Sequence, residues 1–177
     1  EGIDIVKFAA GEPDFDTPSN IIDAGIRAMN EGYTRYSPSP GFTELRERIA
    51  QEVSETRGIS VTGDNVIVTP GAKPIMFFTM LALVDEGDEV LYPNPGFPIY
   101  ESMINFAGGV PLPMKLLSSR GFKFDVDEVR SQITSKTKLM VINSPNNPCG
   151  STIGYQEIEA LAELAREYDL TVLTDDI

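Results

Sequence analysis

The chain has 177 residues, of which 41% are hydrophobic and 23% charged, a composition typical of a globular protein with one sizeable core. A formal net charge of −13 argues against nucleic acid and anionic membrane surfaces as partners, because an acidic field repels phosphate groups. The absence of histidine and the single cysteine, Cys149, exclude an internal disulfide, histidine-based metal sites and serine–histidine catalysis. If the protein is an enzyme, we therefore expect a cofactor or a lysine to carry the difficult step.

The first third of the chain predicts two helices separated by loops. Residues 3–15 have the composition of an extended segment that ends in a turn. Pro18 follows a threonine at a typical helix start, and apolar residues recur on one helical face from there to Gly32. After a loop with two prolines, a second amphipathic helix is predicted over residues 42–57, with Gly58 as its stop.

From residue 65 onward, short apolar or β-branched runs alternate with helical patterns. The predicted strands are 65–69, 89–92, 110–115, 139–143 and 171–174, and the predicted helices are 71–85, which has the composition of a buried helix, 97–106, 126–133 and 155–168. Strands that alternate with helices need crossover connections. The pattern therefore predicts an α/β fold of three layers, α/β/α, with a mostly parallel sheet covered on both faces.

Polar or glycine-rich sequences follow four of the predicted strands. They are residues 70–73, 93–97, 143–150 and Asp175. Ligands of parallel α/β sheets bind beyond the carboxyl ends of the strands. The convergence of four such sequences predicts that the ligand site lies at this edge of the sheet.

Two of these sequences favour charged partners. At Gly71, Ala72 and Lys73 a predicted strand leads into a helix, and the free N–H groups and dipole of that helix start favour a phosphate. The spacing of a Walker A loop is absent. An ordinary strand–helix turn is the alternative. Asp175 ends an apolar strand, where a carboxylate needs a partner such as a positively charged ring nitrogen. A solvated loop position or a helix cap is the alternative for Asp175, and Asp176 competes for the same role.

The remaining candidates are amide and aromatic side chains. Residues 143–150 combine asparagines and prolines in a rigid turn that directs amides at the strand ends. Phe97 is suited to stacking on a flat ring, with packing in the core as the alternative. Tyr36 lies in a loop too early in the chain to belong to the sheet, and a packing or surface role is its alternative.

In this order, the motifs resemble the class I and II aminotransferases, a family of fold-type I enzymes that depend on pyridoxal 5′-phosphate (PLP). The resemblance covers essentially the whole chain. Its motifs are Gly11-Glu12-Pro13-Asp14-Phe15, Tyr36 followed by Gly41-Phe42-Thr43-Glu44-Leu45-Arg46, the Asn147-Pro148-Cys149-Gly150 signature with Cys149 in place of the family's threonine, and Asp175-Asp176-Ile177.

The resemblance implies how the chain would hold PLP. Backbone amides of Gly71, Ala72 and Lys73 would bind its phosphate. The ring would be contacted by three side chains, which are Phe97 stacked on its face, Asn147 at its phenolic oxygen and Asp175 at its protonated nitrogen. Asp175 is the catalytic residue by this analogy, because its charge keeps the ring an electron sink. We also expect cis peptides at Asn94–Pro95 and Asn147–Pro148.

Further contacts implied by the resemblance involve the substrate and a second subunit. Gly11, through its backbone, and Asn147 would contact the substrate. Tyr36 would reach the phosphate in the neighbouring subunit of a homodimer. Residues 1–40 would form the N-terminal arm and part of the small domain, and residues 41–177 the N-terminal part of the large domain.

The resemblance also implies that several functional residues follow residue 177. These are the Schiff-base lysine, a tyrosine and two arginines, and Lys73 is no substitute because it lies at the phosphate end. The chain begins at Glu1 rather than Met and ends just after an apolar strand, so we expect it to be part of a longer protein. With no membrane-spanning run and no signal-peptide pattern, we expect a cytoplasmic location.

Several activities are compatible with these residues. The first is amino-group transfer between an amino acid, aspartate or a broad range, and a 2-oxo acid. The alternatives are a β-lyase or decarboxylase on the same scaffold, and a non-catalytic regulator module. That module predicts a basic DNA-binding domain, of which residues 1–16 show no sign. A plain nucleotide-binding domain is disfavoured because Gly-x-Gly-x-x-Gly is missing.

We predict that the 177-residue polypeptide alone does not catalyse transamination, because none of its lysines matches the family's Schiff-base lysine. The measurement is amino-acid formation by the purified polypeptide with PLP, aspartate and a 2-oxo acid. Robust turnover in that assay would show the prediction to be wrong.

Overall fold

A computed structural model describes residues 11–176, and the chain divides between Val68 and Thr69 into two compact units. The first unit contains helix α1 (Ser19–Asn30), helix α2 (Thr43–Arg57) and a short 3-10 turn (Gly63–Asn65). Both predicted helices are therefore confirmed. Residues 3–10 of the predicted extended segment lie outside the described part of the chain.

Helix α2 ends as its sequence predicts. Gly58 follows it in the left-handed conformation, with φ of 66°, which a residue without a Cβ adopts at little cost. Beyond this stop, the chain turns back along the helix. The Ser54 hydroxyl exchanges hydrogen bonds with the main chain of Val61, and the Arg46 guanidinium donates to the carbonyl oxygen of Val66 at 2.9 Å.

The second unit is a parallel sheet covered by helices. Its elements in chain order are α3 (Lys73–Leu83), β1 (Glu89–Asn94), α4 (Ile99–Phe106), β2 (Val110–Lys115), α5 (Val126–Gln132), β3 (Thr137–Asn143), α6 (Tyr155–Glu167) and β4 (Thr171–Asp175). The strands lie in the order β2-β1-β3-β4, and every pair is parallel. The predicted α/β architecture with a mostly parallel sheet is confirmed.

Two hydrophobic clusters lie on opposite faces of this sheet. Successive residues of a strand point to opposite faces. In β1, Val90 and Tyr92 pack with α3 and α4, whereas Leu91 packs with α5 and α6. In β3, Leu139 and Met140 divide in the same way. The central strands are therefore apolar on both sides, which explains their continuous runs of apolar residues.

The predicted strand at residues 65–69 is wrong. Val66 has extended backbone angles, φ −117° and ψ 130°, but within the described residues this segment pairs with no strand. Instead, the N–H of Val68 donates to the carbonyl of Pro40 at 2.9 Å. β-branched residues favour an extended backbone, but a strand also needs a neighbouring strand, which local sequence does not supply.

The prediction that residues 71–85 form a buried helix is correct for the helix and wrong for the burial. Met76 and Met80 are buried against the sheet, whereas Phe78 and Leu81 are 58% and 51% exposed. An almost continuously apolar helix carries no polar stripe from which to tell its outer face.

In the described part of the chain, no helix combines the length and the apolar character needed to cross a bilayer.

We predict that Leu164→Ala destabilises the protein by about 2–5 kcal/mol, because it removes a fully buried side chain from the α5–α6 cluster. The neighbouring substitution Glu163→Ala removes an exposed side chain of the same helix and is the matched control, with an expected change within about 0.5 kcal/mol. Urea denaturation of both variants, followed by circular dichroism, measures the difference. Equal losses for the two variants would contradict the assignment of this core.

Candidate functional site

A cavity of about 400 Å³ lies at the carboxyl ends of the strands in the second unit. It brings together six of the residues predicted from the sequence. The lining residues are Pro70, Gly71, Ala72, Lys73, Phe97, Asn147 and Asp175. They come from the start of α3, the loop between β1 and α4, the loop after β3 and the end of β4. The predicted convergence at one edge of the sheet is therefore observed.

The start of α3 offers backbone N–H groups to the cavity. Gly71 has φ of 90°, and its N–H already donates to the carbonyl of Thr69 at 2.9 Å. The N–H of Ile75 donates to Ala72, closing the first turn of α3. Within residues 11–176, the N–H groups of Ala72 and Lys73 donate to no acceptor. At the positive end of a helix dipole, two such donors can bind an anion.

The same cavity is also lined by Asp175, the half-buried last residue of β4. One of its oxygens, Oδ2, accepts a short hydrogen bond from the hydroxyl of Tyr100 in α4. Tyr100 is completely buried. Its burial, followed by the hydrogen bond and the charge of Asp175, raises the pKa of the Tyr100 hydroxyl well above its ordinary value, so this group stays a donor.

Phe97 also lines the cavity. It lies in the loop before α4 rather than in the helix predicted for residues 97–106. Its ring packs edge-on against Tyr100, with centroids 6.0 Å apart and planes at 81°. Gly96 makes this loop possible, because a Cβ at that position would lie 2.1 Å from the carbonyl oxygen of Pro93.

Buried asparagines hold the loop after β3. Asn143, 1% exposed, accepts a hydrogen bond from the N–H of Asn147 at 2.7 Å and donates to the main-chain oxygen of Asp175 at 2.9 Å. Asn146, 5% exposed, accepts from the N–H of Cys149 and donates to the carbonyl of Pro95 at 3.4 Å. The exposed Asn147 side chain is thereby held at the cavity while its neighbours serve as scaffold.

Sequence reasoning missed Tyr100, Asn143 and Asn146 as individual site residues. Asn143 and Asn146 lie inside the asparagine–proline run that the sequence marked, but nothing local tells a scaffolding amide from one that faces a ligand. Tyr100 follows Phe97 by three residues at a predicted helix start, a spacing that places two side chains on one face. That spacing was the available signal for Tyr100.

The expected cis peptides at Asn94–Pro95 and Asn147–Pro148 are confirmed, and a third, Ser144–Pro145, was not predicted.

Gly11 and Tyr36 belong to the first unit, and both are exposed. Tyr36 lines a surface depression there with Thr34 and Arg35. The roles suggested for these two residues stay predictions. No group of acidic or cysteine side chains that could hold a metal occurs among residues 11–176.

Known proteins resemble this chain over nearly its whole length. Residues 3–177 match the family model for aminotransferases of class I and II. The aspartate/prephenate aminotransferase of Thermus thermophilus is 44% identical over 177 residues, which are all of this chain and 46% of that protein. The aspartate aminotransferase of Bacillus subtilis is 40% identical over 176 residues, which are 99% of this chain and 45% of that protein.

A solved structure shares the fold as well. The aspartate aminotransferase from Thermus thermophilus with maleate superimposes with a TM-score of 0.96 at 44% identity, over 99% of this chain and 46% of that one. The chain thus spans a little less than half the length of the curated relatives that it matches.

We predict that Gly96→Ala lowers the melting temperature of the protein and displaces Phe97, because the new methyl group collides with the backbone of Pro93. Gly25→Ala is the matched control, since it adds the same methyl group to α1 with no atom within 4 Å. Alanine is favoured over glycine in a helix by about 1 kcal/mol, so this control should be neutral or stabilising. Thermal denaturation compares the two, and an equal or smaller loss for Gly96→Ala would contradict the close approach.

Proposed function

The chain belongs to the class I and II aminotransferase family, and we propose that the full protein uses PLP to transfer an amino group between an amino acid and a 2-oxo acid. One observation carries the proposal. A single cavity is lined both by Ala72 and Lys73, whose backbone N–H groups have no acceptor in the described chain, and by the carboxylate residue Asp175. A planar cofactor with a phosphate on one side and a basic ring nitrogen on the other is complementary to that arrangement.

The residues of the cavity fit PLP group by group. Ala72 and Lys73 would donate to the phosphate, and the Lys73 ammonium adds a positive charge at the same end. Gly71, whose N–H is engaged by Thr69, would contribute close backbone approach. Phe97 would stack on the ring, and Asn147 would donate to its phenolic oxygen. The free Oδ1 of Asp175 would accept from the ring nitrogen, since Oδ2 accepts from Tyr100.

Bound PLP supplies an electron sink conjugated to the Cα of the substrate amino acid. The contribution of this chain is electrostatic. A carboxylate within hydrogen-bond distance of a ring nitrogen favours the protonated ring, and Asp175 would hold that proton at the nitrogen. Phe97 and the rigid asparagine loop would keep the ring plane fixed, so that the sink stays aligned with the bonds at Cα.

The proposal extends to parts of the site that the second unit lacks. Gly11 would contact the substrate carboxylate, and the exposed Tyr36 would reach the phosphate of a neighbouring subunit in a homodimer. Residues 1–40 would then form the arm and part of the small domain, and residues 41–177 the first part of the large domain. We also propose a cytoplasmic location.

We propose aspartate as the amino donor. The support is that the relative from Thermus thermophilus is named an aspartate/prephenate aminotransferase and the relative from Bacillus subtilis an aspartate aminotransferase, with alignments that cover 100% and 99% of this chain. Prephenate, which the first of these names includes, is the second 2-oxo acid to test as an acceptor after 2-oxoglutarate.

Product analysis of the full-length protein with PLP, aspartate and 2-oxoglutarate tests the reaction class. Amino transfer yields glutamate and oxaloacetate in equal amounts. A β-lyase would instead release pyruvate and ammonia from a suitable amino acid, and a decarboxylase would release carbon dioxide. Glutamate formation at the rate of aspartate loss supports the proposal, and either of the other product sets overturns it.

We predict that Asp175→Asn lowers kcat/KM of the full-length enzyme on the order of 100-fold, equivalent to about 2.7 kcal/mol of lost transition-state stabilisation. The physical reason is the loss of the charge that holds the proton on the ring nitrogen. Asp176→Asn removes the adjacent carboxylate, which does not line the cavity, and serves as the matched control. Steady-state kinetics of both variants decide between the two aspartates, and a larger effect at Asp176 would contradict the assignment.

A further inference from the structure

We propose that Tyr100 is a positioning residue of the aminotransferase site, whose hydroxyl fixes one oxygen of Asp175 and so presents the other to the cofactor ring. The inference rests on the proposed function, because it assigns a second contact to the residue that would hold the ring nitrogen. It begins from the short hydrogen bond between Tyr100 and Asp175 Oδ2.

The carboxylate of Asp175 would be free to rotate if nothing held it. A carboxylate at a strand end can rotate about its Cβ–Cγ bond, so its two oxygens exchange places unless one is held. The Tyr100 hydroxyl holds Oδ2, and Asn143 holds the main-chain oxygen of the same residue at 2.9 Å. Asp175 is therefore fixed from two directions, by its side chain and by its backbone.

The donor, Tyr100, is itself held rigidly. Tyr100 has no exposed surface and packs in the cluster formed by α3, α4 and one face of the sheet. Its ring contacts Phe97 edge-on, and its N–H donates to the carbonyl of Phe97 at 3.1 Å. A buried aromatic ring on a helix loses little further freedom when its hydroxyl binds. Tyr100 thus ties the wall residue Phe97 to the carboxylate of Asp175.

The hydrogen bond between Tyr100 and Asp175 also has a purely structural explanation. In that explanation, Asp175 serves only as the hydrogen-bond partner that a buried tyrosine hydroxyl needs. The two explanations differ in what the loss of the hydroxyl changes. A structural hydroxyl affects the stability of the fold. A positioning hydroxyl affects ligand binding, and does so only while Asp175 is present.

The test is a double-mutant cycle in the full-length enzyme, with the dissociation constant of PLP from the apoenzyme as the readout. The four proteins are the unsubstituted enzyme, Tyr100→Phe, Asp175→Ala and the double variant. Tyr100→Phe keeps the ring and removes only the hydroxyl. We expect it to weaken PLP binding about tenfold, as for the loss of one hydrogen bond to a charged group. In the Asp175→Ala background it should change binding by less than about twofold.

Tyr92→Phe is the matched control. Tyr92 is 6% exposed and lies in the same buried cluster, and the acidic group near its hydroxyl is Glu101 rather than Asp175. The Tyr92→Phe variant should lower the melting temperature of the apoenzyme about as much as Tyr100→Phe, yet leave PLP affinity within about twofold.

In the PLP-loaded enzyme, Tyr100→Phe should lower kcat about tenfold and leave the KM for aspartate unchanged, because the contact lies on the cofactor side.

The outcomes separate the two proposals. PLP affinity unchanged in Tyr100→Phe, an equal loss in Tyr92→Phe, or an undiminished effect of Tyr100→Phe without Asp175 each overturns the positioning role and leaves the proposed function intact. Failure of the unsubstituted full-length protein to bind PLP overturns the proposed function, and the role of Tyr100 with it. A tenfold loss confined to proteins that retain Asp175 supports the positioning role.

Discussion

The register between β3 and β4 is the constraint on which the site depends. Parallel pairing places Asn143 opposite Asp175, so both strands end at the same level of the sheet. The Asn143 side chain then bridges the strand end and the loop, because it bonds the main chain of Asp175 and of Asn147 together. A shift of the register by one residue would point Asp175 to the other face and separate these groups. The last strand pair therefore positions the carboxylate and the amide by one set of hydrogen bonds.

Packing on one face of the sheet brings the other half of the site to this edge. Met76 of α3 and Tyr100 of α4 belong to a single buried cluster with Val90 and Val141 of the central strands. Because the helices are seated by these apolar contacts, the N-terminus of α3 and the hydroxyl of Tyr100 are brought to the same edge of the sheet as Asp175. The polar groups of the cavity are thus placed largely by hydrophobic burial, which is non-directional, and oriented by a few hydrogen bonds, which are directional.

What the sequence predicts well are the features encoded within a few residues. The helices and the four paired strands follow from periodicity and stop signals, and the positions of Phe97, Asn147 and Asp175 at the cavity follow from their places after strands. Ala72 and Lys73 also line the cavity, although the strand predicted before them is absent. What it predicts poorly needs a distant partner. Residues 65–69 have the composition of a strand but no strand beside them in the described chain, and the roles of Tyr100 and Asn143 depend on contacts 75 and 32 residues away. Local sequence carries no record of such contacts.

The strong acidity of the chain does not conflict with a phosphate ligand, because the two effects act over different distances. A net charge of −13 is spread over the surface, and salt screens it beyond roughly 8 Å at physiological ionic strength. The N–H groups of Ala72 and Lys73 act within hydrogen-bond distance, where the dipole of α3 reinforces them. Affinity for a phosphate ligand would then depend on the few groups that line the cavity, which include these donors, Lys73 and Asp175. Groups of both charge signs in one cavity would orient a ligand that carries both an anionic and a cationic group, whereas a uniformly basic surface would attract its anionic group without orienting it.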